Sequence, residues 1–203
     1  MVRSLRFALF ALLLPLAGQA QLVVTNTQTP AWLVQNILLG QGLSVSNITV
    51  VTEQAGEVDA TNTVLGLGQG LILATGDVNN ALGPNNSGSS SLGGGNMGQT
   101  DPDLEILANP QSVNDAAVLE FDFVPTGDSL KFDFVFASDE YLEFVNSVND
   151  IFGFFLSGPG ISGPFSNNSA NIALIPNTTD PVTINTVNDV VNSTYYVVNG
   201  TGI

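Results

Sequence analysis

The spacing of apolar residues changes along this chain, and the change predicts where helix gives way to strand. Near the start, Thr29 is a capping residue and Pro30 suits a first helical position. Trp32, Leu33, Ile37 and Leu38 then recur at helical spacing before Gly40. One short helix over 31–39 is therefore expected. Beyond Gly40 the pattern has strand character. Residues 43–52 are β-rich through Val45, Ile48, Val50 and Val51, and 64–75 mix Leu with Gly66, Gly68 and Gly70 before an apolar triplet at 71–73. Glycines so placed imply a bulge, a wide turn or close backbone approach.

The clearest alternation comes later. Leu119, Phe121 and Phe123 alternate with Glu120 and Asp122, which predicts a strand with one dry and one wet face. A turn at 125–128 leads to Leu130, Phe132, Phe134 and Phe136, which share a face opposite Lys131, Asp133 and Val135. These two runs read as an antiparallel pair, with Lys131 across from Glu120 or Asp122. Residues 151–156 are apolar apart from Gly153, as expected for a strand covered on both faces, and 172–175, 182–187 and 194–198 read as three more short strands. Many short strands separated by turn residues predict an all-β fold, a jelly-roll-like β-sandwich with one short N-terminal helix. Phe121, Phe123, Phe132, Phe134, Phe136, Phe152, Phe154 and Phe155 are its expected core. The Gly/Ser/Asn-rich stretch 81–99 reads either as a flexible linker or as a mobile binding loop on a rigid scaffold.

Composition changes the picture in two ways. Arg3 and Arg6, the apolar run 7–16 and Gly18-Gln19-Ala20 have the order of a secretory signal peptide over 1–20, leaving one domain over 21–203. The apolar run is too short to span a bilayer, so no transmembrane segment is expected. There is no cysteine, so an exported chain would rest on its core, and on bound ions, rather than on disulfides. Beyond Ala20 the chain holds 18 acids against Lys131 alone, a formal charge of −17. Such a surface repels nucleic acid and anionic lipid. Disorder, the other reading of high charge, conflicts with a hydrophobic content of 44% and 12 Phe.

The acids are not evenly spread: twelve of the 18 lie between Asp101 and Asp150. Asp101, Asp103 and Glu105 occupy alternate positions and would share one face of an extended segment. Asp139, Glu140, Glu143 and Asp150, with Asn149, surround a loop between Phe-rich strands. Calcium takes six to eight hard oxygens of this kind, whereas zinc, copper and iron are poorly served without His or Cys. The candidate metal ligands are therefore Asp139, Glu140, Glu143 and Asp150, then Asp101 and Asp103, with Ca2+ as the expected ion; a merely solvated loop is the plainer reading. Paired carboxylates would also serve a glycosidase, but few aromatic residues are available to line a sugar platform. A nucleophilic triad in its usual form lacks both His and Cys. Asn47, Asn85, Asn167, Asn177, Asn192 and Asn199 begin Asn-X-Ser/Thr triplets, which arise readily in an Asn- and Thr-rich chain.

Several of these segments together resemble the choice-of-anchor L domain family. They are 132–141 (FDFVFASDEY), 143–145 (EFV), 149–160 (NDIFGFFLSGPG) and 171–176 (NIALIP), with 71–77 (LILATGD) and 101–105 (DPDLE). The resemblance extends from about Pro30 onward. It implies a bacterial extracellular module, secreted or held at the cell surface; a non-enzymatic role, with an extracellular protein or glycan surface as partner, is the expectation set beside it. Similar proteins continue into further strands and then an anchor or more domains, so the resemblance implies that such segments come after Ile203. The function expected is adhesion or surface assembly by a calcium-stabilised β-sandwich, with a calcium-dependent carbohydrate-binding module as the alternative.

Overall fold

A computed structural model describes residues 22–39, 43–50, 55–83, 87–88 and 99–198. The expected signal peptide and most of the 81–99 loop lie outside them. The described chain is mostly short antiparallel strands with a few short helical turns, as an all-β reading requires.

Strands β1 (Val23–Thr25), β3 (Ala55–Asp59) and β4 (Gln69–Leu73) form one sheet in the order β1-β3-β4. The expected helix forms here. Thr29 Oγ1 accepts the Trp32 N–H (3.2 Å), Pro30 opens α1 (Pro30–Leu33), and the coil widens into a π-type turn over Val34–Leu38. Leu33 and Val34 are fully buried, whereas Trp32 and Leu38 lie at the surface. The buried stripe thus keeps Leu33 and the half-buried Ile37 but takes in Val34 instead of Trp32 and Leu38, and each fully buried aliphatic side chain contributes ~1.5–3 kcal/mol by leaving water.

The second sheet explains a feature of the sequence that alternation alone does not. In β2 (Leu43–Val50) the apolar positions change parity, from Leu43 and Val45 to Ile48 and Val50. β2 pairs antiparallel with β5 (Leu119–Pro125), and its register shifts between Ser46 and Thr49: Ser46 faces Asp122 and Thr49 faces Glu120. One extra residue in β2 is a β-bulge, and it returns the apolar residues on both sides to the same face. Asn47 in the bulge adopts a left-handed backbone (φ 52°), and its amide donates to Asp122 Oδ2 at 2.6 Å. Leu119, Phe121 and Phe123 are half-buried and Glu120 and Asp122 exposed, as the alternation predicts.

The expected partner of β5 is corrected. It pairs with β2, not with the run after the turn, and Glu120 and Asp122 face Thr49 and Ser46 rather than Lys131. Residues 129–138 belong to no strand ladder. Their rings are taken up elsewhere: Phe132 stacks on Phe154 (4.3 Å) and Phe134 packs at a tilt against Phe152 (4.9 Å). The 151–156 run is interrupted as well. β6 (Ile151–Phe152) pairs with β9 (Val182–Thr183), and β7 (Phe155–Leu156) with β8 (Ala170–Asn171). Between them Phe154 N–H bonds the Asn171 side chain (3.0 Å). A Cβ at Gly153 would lie 2.7 Å from the Phe155 ring and 3.2 Å from Leu104 Cδ2, so only glycine lets a second helix, α2 (Pro102–Ala108), approach here.

Of the expected strands, 172–175 is reduced to an isolated bridge between Leu174 and Pro181 just after β8, 182–187 shrinks to β9, and 194–198 gives way to a short 3-10 turn at Ser193–Tyr195. Side chains replace the missing ladders. Buried Asn188 donates to the carbonyls of Ile184 and Asn185 and accepts the N–H groups of Val190 and Val191. The core is therefore aliphatic and local: Ala108, Val113 and Ala116 form one cluster, and Ile175, Val182 and Val187 another. The eight phenylalanines expected at its centre are only half-buried, and Phe134 is 37% exposed. Seven of them pack on other phenylalanine rings, and Phe136 packs against the cluster of Ile175, Val182 and Val187.

Asn47→Val should lose more stability than Asn47→Gly by ~1–2 kcal/mol in urea denaturation, because only Val forces a β-branched side chain into the left-handed region. Equal losses would show that the Asp122 hydrogen bond alone matters at the bulge.

Candidate functional site

The ring contacts at 132–134 set up the acidic turn next to them in the chain. By holding residues 129–138 antiparallel to β6 and β7, they bring Ser138 beside Asp150. Ser138 Oγ donates to Asp150 Oδ2 (2.7 Å) and accepts the Glu140 N–H (3.0 Å). The chain then coils tightly: Phe144 N–H bonds Glu140 O, and the N–H groups of Ser147 and Val148 bond Phe144 O. Tyr141 pins this turn to the C-terminal loop, donating to Val187 O at 2.7 Å and packing its ring on Tyr196 at 5.1 Å. Asn146 N–H reaches the Asn185 side chain (2.6 Å). From the other side, Asn80 donates to Asp139 Oδ2 (2.6 Å). A Cβ at Gly88 would lie 2.8 Å from Glu143 Oε2 and 3.0 Å from the Phe144 ring, so the glycine-rich loop touches the acidic turn there.

Asp139, Glu140 and Asp150 are thus brought together, and their charges are felt at one point. The Glu140 carboxyl is pushed up to about 7, by burial first and then by the negative charges of Asp150 and Asp139. Its Oε2 is buried without a hydrogen-bond partner. The Tyr141 hydroxyl is pushed up to about 12, mainly by burial, then by Tyr196 and Asp150. Among the described residues, no group of three His, Cys, Asp or Glu side chains is placed to hold a metal ion.

The other acidic group is arranged differently from the extended segment expected. Asp101 caps α2, accepting the N–H groups of Asp103 (3.0 Å) and Leu104 (2.9 Å), with Pro102 at the first helical position and Asp103 and Glu105 in the first turn. Residues 101–105 hold the standard signs of a helix start, a capping Asp, Pro and early acids that suit the helix dipole. Alternation of carboxylates masked that signal. Asp103 is buried and accepts both the N–H (2.8 Å) and hydroxyl (2.9 Å) of Ser166, and Glu105 accepts the Val113 N–H (3.2 Å). Asp101 and Asp103 are therefore committed to protein donors, apart from the 139–150 turn.

The residues that shape the site but were not foreseen are Ser138, Asn80, Tyr141 and Asn185. Each acts across a sequence separation that no local pattern reveals, although Ser138 directly precedes the acidic pair.

The family model described as "Choice-of-anchor L domain" matches residues 22–201. No curated protein and no solved structure matches the chain. Among the described residues, no helix is long and apolar enough to cross a membrane.

Glu140 leads to a pH prediction. An ordinary glutamate titrates near 4.5 and this one near 7, so in that window the folded chain keeps a proton that the unfolded chain has released. Stability should therefore fall as pH rises from 4.5 to 7, by ~1 kcal/mol once solvent screening of a half-exposed group is allowed for. Glu140→Gln should flatten that slope in denaturation series across the range; an unchanged slope would place the titration elsewhere. Asp101→Ala should cost ~1 kcal/mol and Asp101→Asn almost nothing, because Asn caps as well as Asp. A large loss with Asn would show that the charge, not the cap, is needed.

Proposed function

Since the chain belongs to the choice-of-anchor L domain family, a surface-associated bacterial module, we infer that it is a non-enzymatic β-domain serving adhesion or surface assembly outside the cell. The family match across residues 22–201 is the observation that carries this reading. A formal charge of −17 beyond Ala20 agrees with it, since such a surface stays soluble and repels anionic lipid and nucleic acid. The pairing of β2 with β5, across residues 51–118, supports the jelly-roll-like sandwich as the finer architecture.

A catalytic role for the acidic turn has less support. Glu140 has the raised value of a general acid, but its Oε2 is buried, and a proton donor must reach its substrate. Calcium stabilisation is the further part of the proposal. It is supported by a carboxylate oxygen that is buried, partnerless and flanked by Asp139 and Asp150, a position that calls for a cation or a proton. Occupancy would require Asp139, Glu140 and Asp150 to converge further than they do, with backbone or Asn oxygens completing the shell.

Antibody labelling of intact bacteria producing the full-length protein should mark the surface; labelling that appears only after lysis would defeat the surface reading. Separately, millimolar calcium at pH 8 should raise the melting temperature, chelator should reverse the rise, and Asp150→Asn should remove most of it. Melting curves that ignore both additions would leave a proton as the partner of Glu140.

A further inference from the structure

Residues 129–138 have the alternation of a strand but belong to no ladder. Among the described residues, the backbone groups of 129–137 make no hydrogen bond. Phe132 and Phe134, two residues apart, place their rings on one side of the segment, 5.9 Å from each other and against Phe154 and Phe152, the side-chain geometry of an extended backbone. An extended segment with an open backbone edge is a template for strand addition.

The side chains argue what adds to it. Lys131 and Asp133 are both exposed and, two residues apart in an extended segment, lie on one face. Leu130 and Phe134 (each 37% exposed) and Val135 (46%) are apolar yet open to solvent. The edge therefore carries one positive and one negative charge between apolar neighbours. A uniformly basic strand would meet Lys131 and a uniformly acidic one Asp133; the pattern is complementary to its own reverse.

We propose that this edge pairs with the same edge of a second copy of the chain, antiparallel and centred on Phe132. In that register Lys131 lies opposite the partner's Asp133, and Asp133 opposite the partner's Lys131, so the symmetric contact holds two opposite-charge pairs. On the other face Leu130 lies opposite the partner's Phe134. Antiparallel registers centred on Lys131 or Asp133 set like charges face to face, as does in-register parallel pairing. Charge thus selects one arrangement, and the exposed apolar residues contribute to its stability. Two short strands bury less than the ~1,000 Å² of a stable interface, so the dimer is weak in solution and strengthens where chains are held side by side. This pairing does not depend on the surface reading, and failure of either leaves the other standing.

Sedimentation velocity of the full chain over a wide concentration range tests it. The wild-type protein should show a concentration-dependent monomer–dimer equilibrium. Lys131→Asp alone and Asp133→Lys alone should each weaken it at least tenfold, because each places like charges opposite one another. The two single variants mixed one to one should associate again as a heterodimer, and the double variant carrying both changes should recover self-association. Both positions are exposed, and unchanged melting curves would confirm that the variants fold. A wild-type protein that stays monomeric at the highest concentration, or single variants that dimerise as well as it does, would overturn the proposal.

Discussion

With a single lysine facing eighteen acids beyond Ala20, this protein has almost no ion pairs available for its carboxylates and must satisfy them with hydrogen-bond donors. The described structure reflects that shortage. Asp59 accepts the Thr61 N–H, Asp77 the Asn79 N–H and amide, and Asp101 two N–H groups of its own helix. Asp103 takes both donors of Ser166, Asp122 the amide of Asn47, Asp139 that of Asn80 and Asp150 the hydroxyl of Ser138. Bonds of this kind to a charged group are stronger than neutral ones, and several join distant parts of the chain. Glu140 Oε2 is the described carboxylate oxygen left buried without such a donor, and it belongs to the carboxyl pushed up to about 7. The exception marks the site.

Asparagine serves a second purpose. Asn47, Asn146, Asn167, Asn168, Asn177 and Asn192 all have positive φ, the region that Asn tolerates best among residues with a side chain. Four of them begin Asn-X-Ser/Thr triplets. The backbone accounts for these asparagines without recourse to glycosylation. They allow tight local changes of backbone direction, and two of their amides tie these places down: Asn47 at the β2 bulge bonds Asp122 of β5, and Asn192 bonds the Thr186 carbonyl.

Short strands and side-chain stitching have consequences for a surface module. Among the described residues, each small sheet has strands that pair on one side only, and the phenylalanines are only half-buried. The chain therefore presents both acidic turns and apolar edges, the features from which contacts with neighbouring molecules are built.

Local pattern was enough for the Thr29–Pro30 helix start, the dry and wet faces of β5, the acidic balance and the family motifs, because each depends on neighbours a few residues apart. The parity change in β2 was also present in the sequence as a bulge signal, and so was the helix cap at Asp101, though alternating carboxylates concealed it. Tertiary structure alone decided that β5 pairs with β2, that Phe132 and Phe134 pack on Phe154 and Phe152, and that Asp139, Glu140 and Asp150 gather while Asp101 and Asp103 do not. Those outcomes rest on contacts between residues distant in sequence, where the choice of partner depends on competition among many apolar faces. A linear pattern records which faces need covering; only the folded chain settles what covers them.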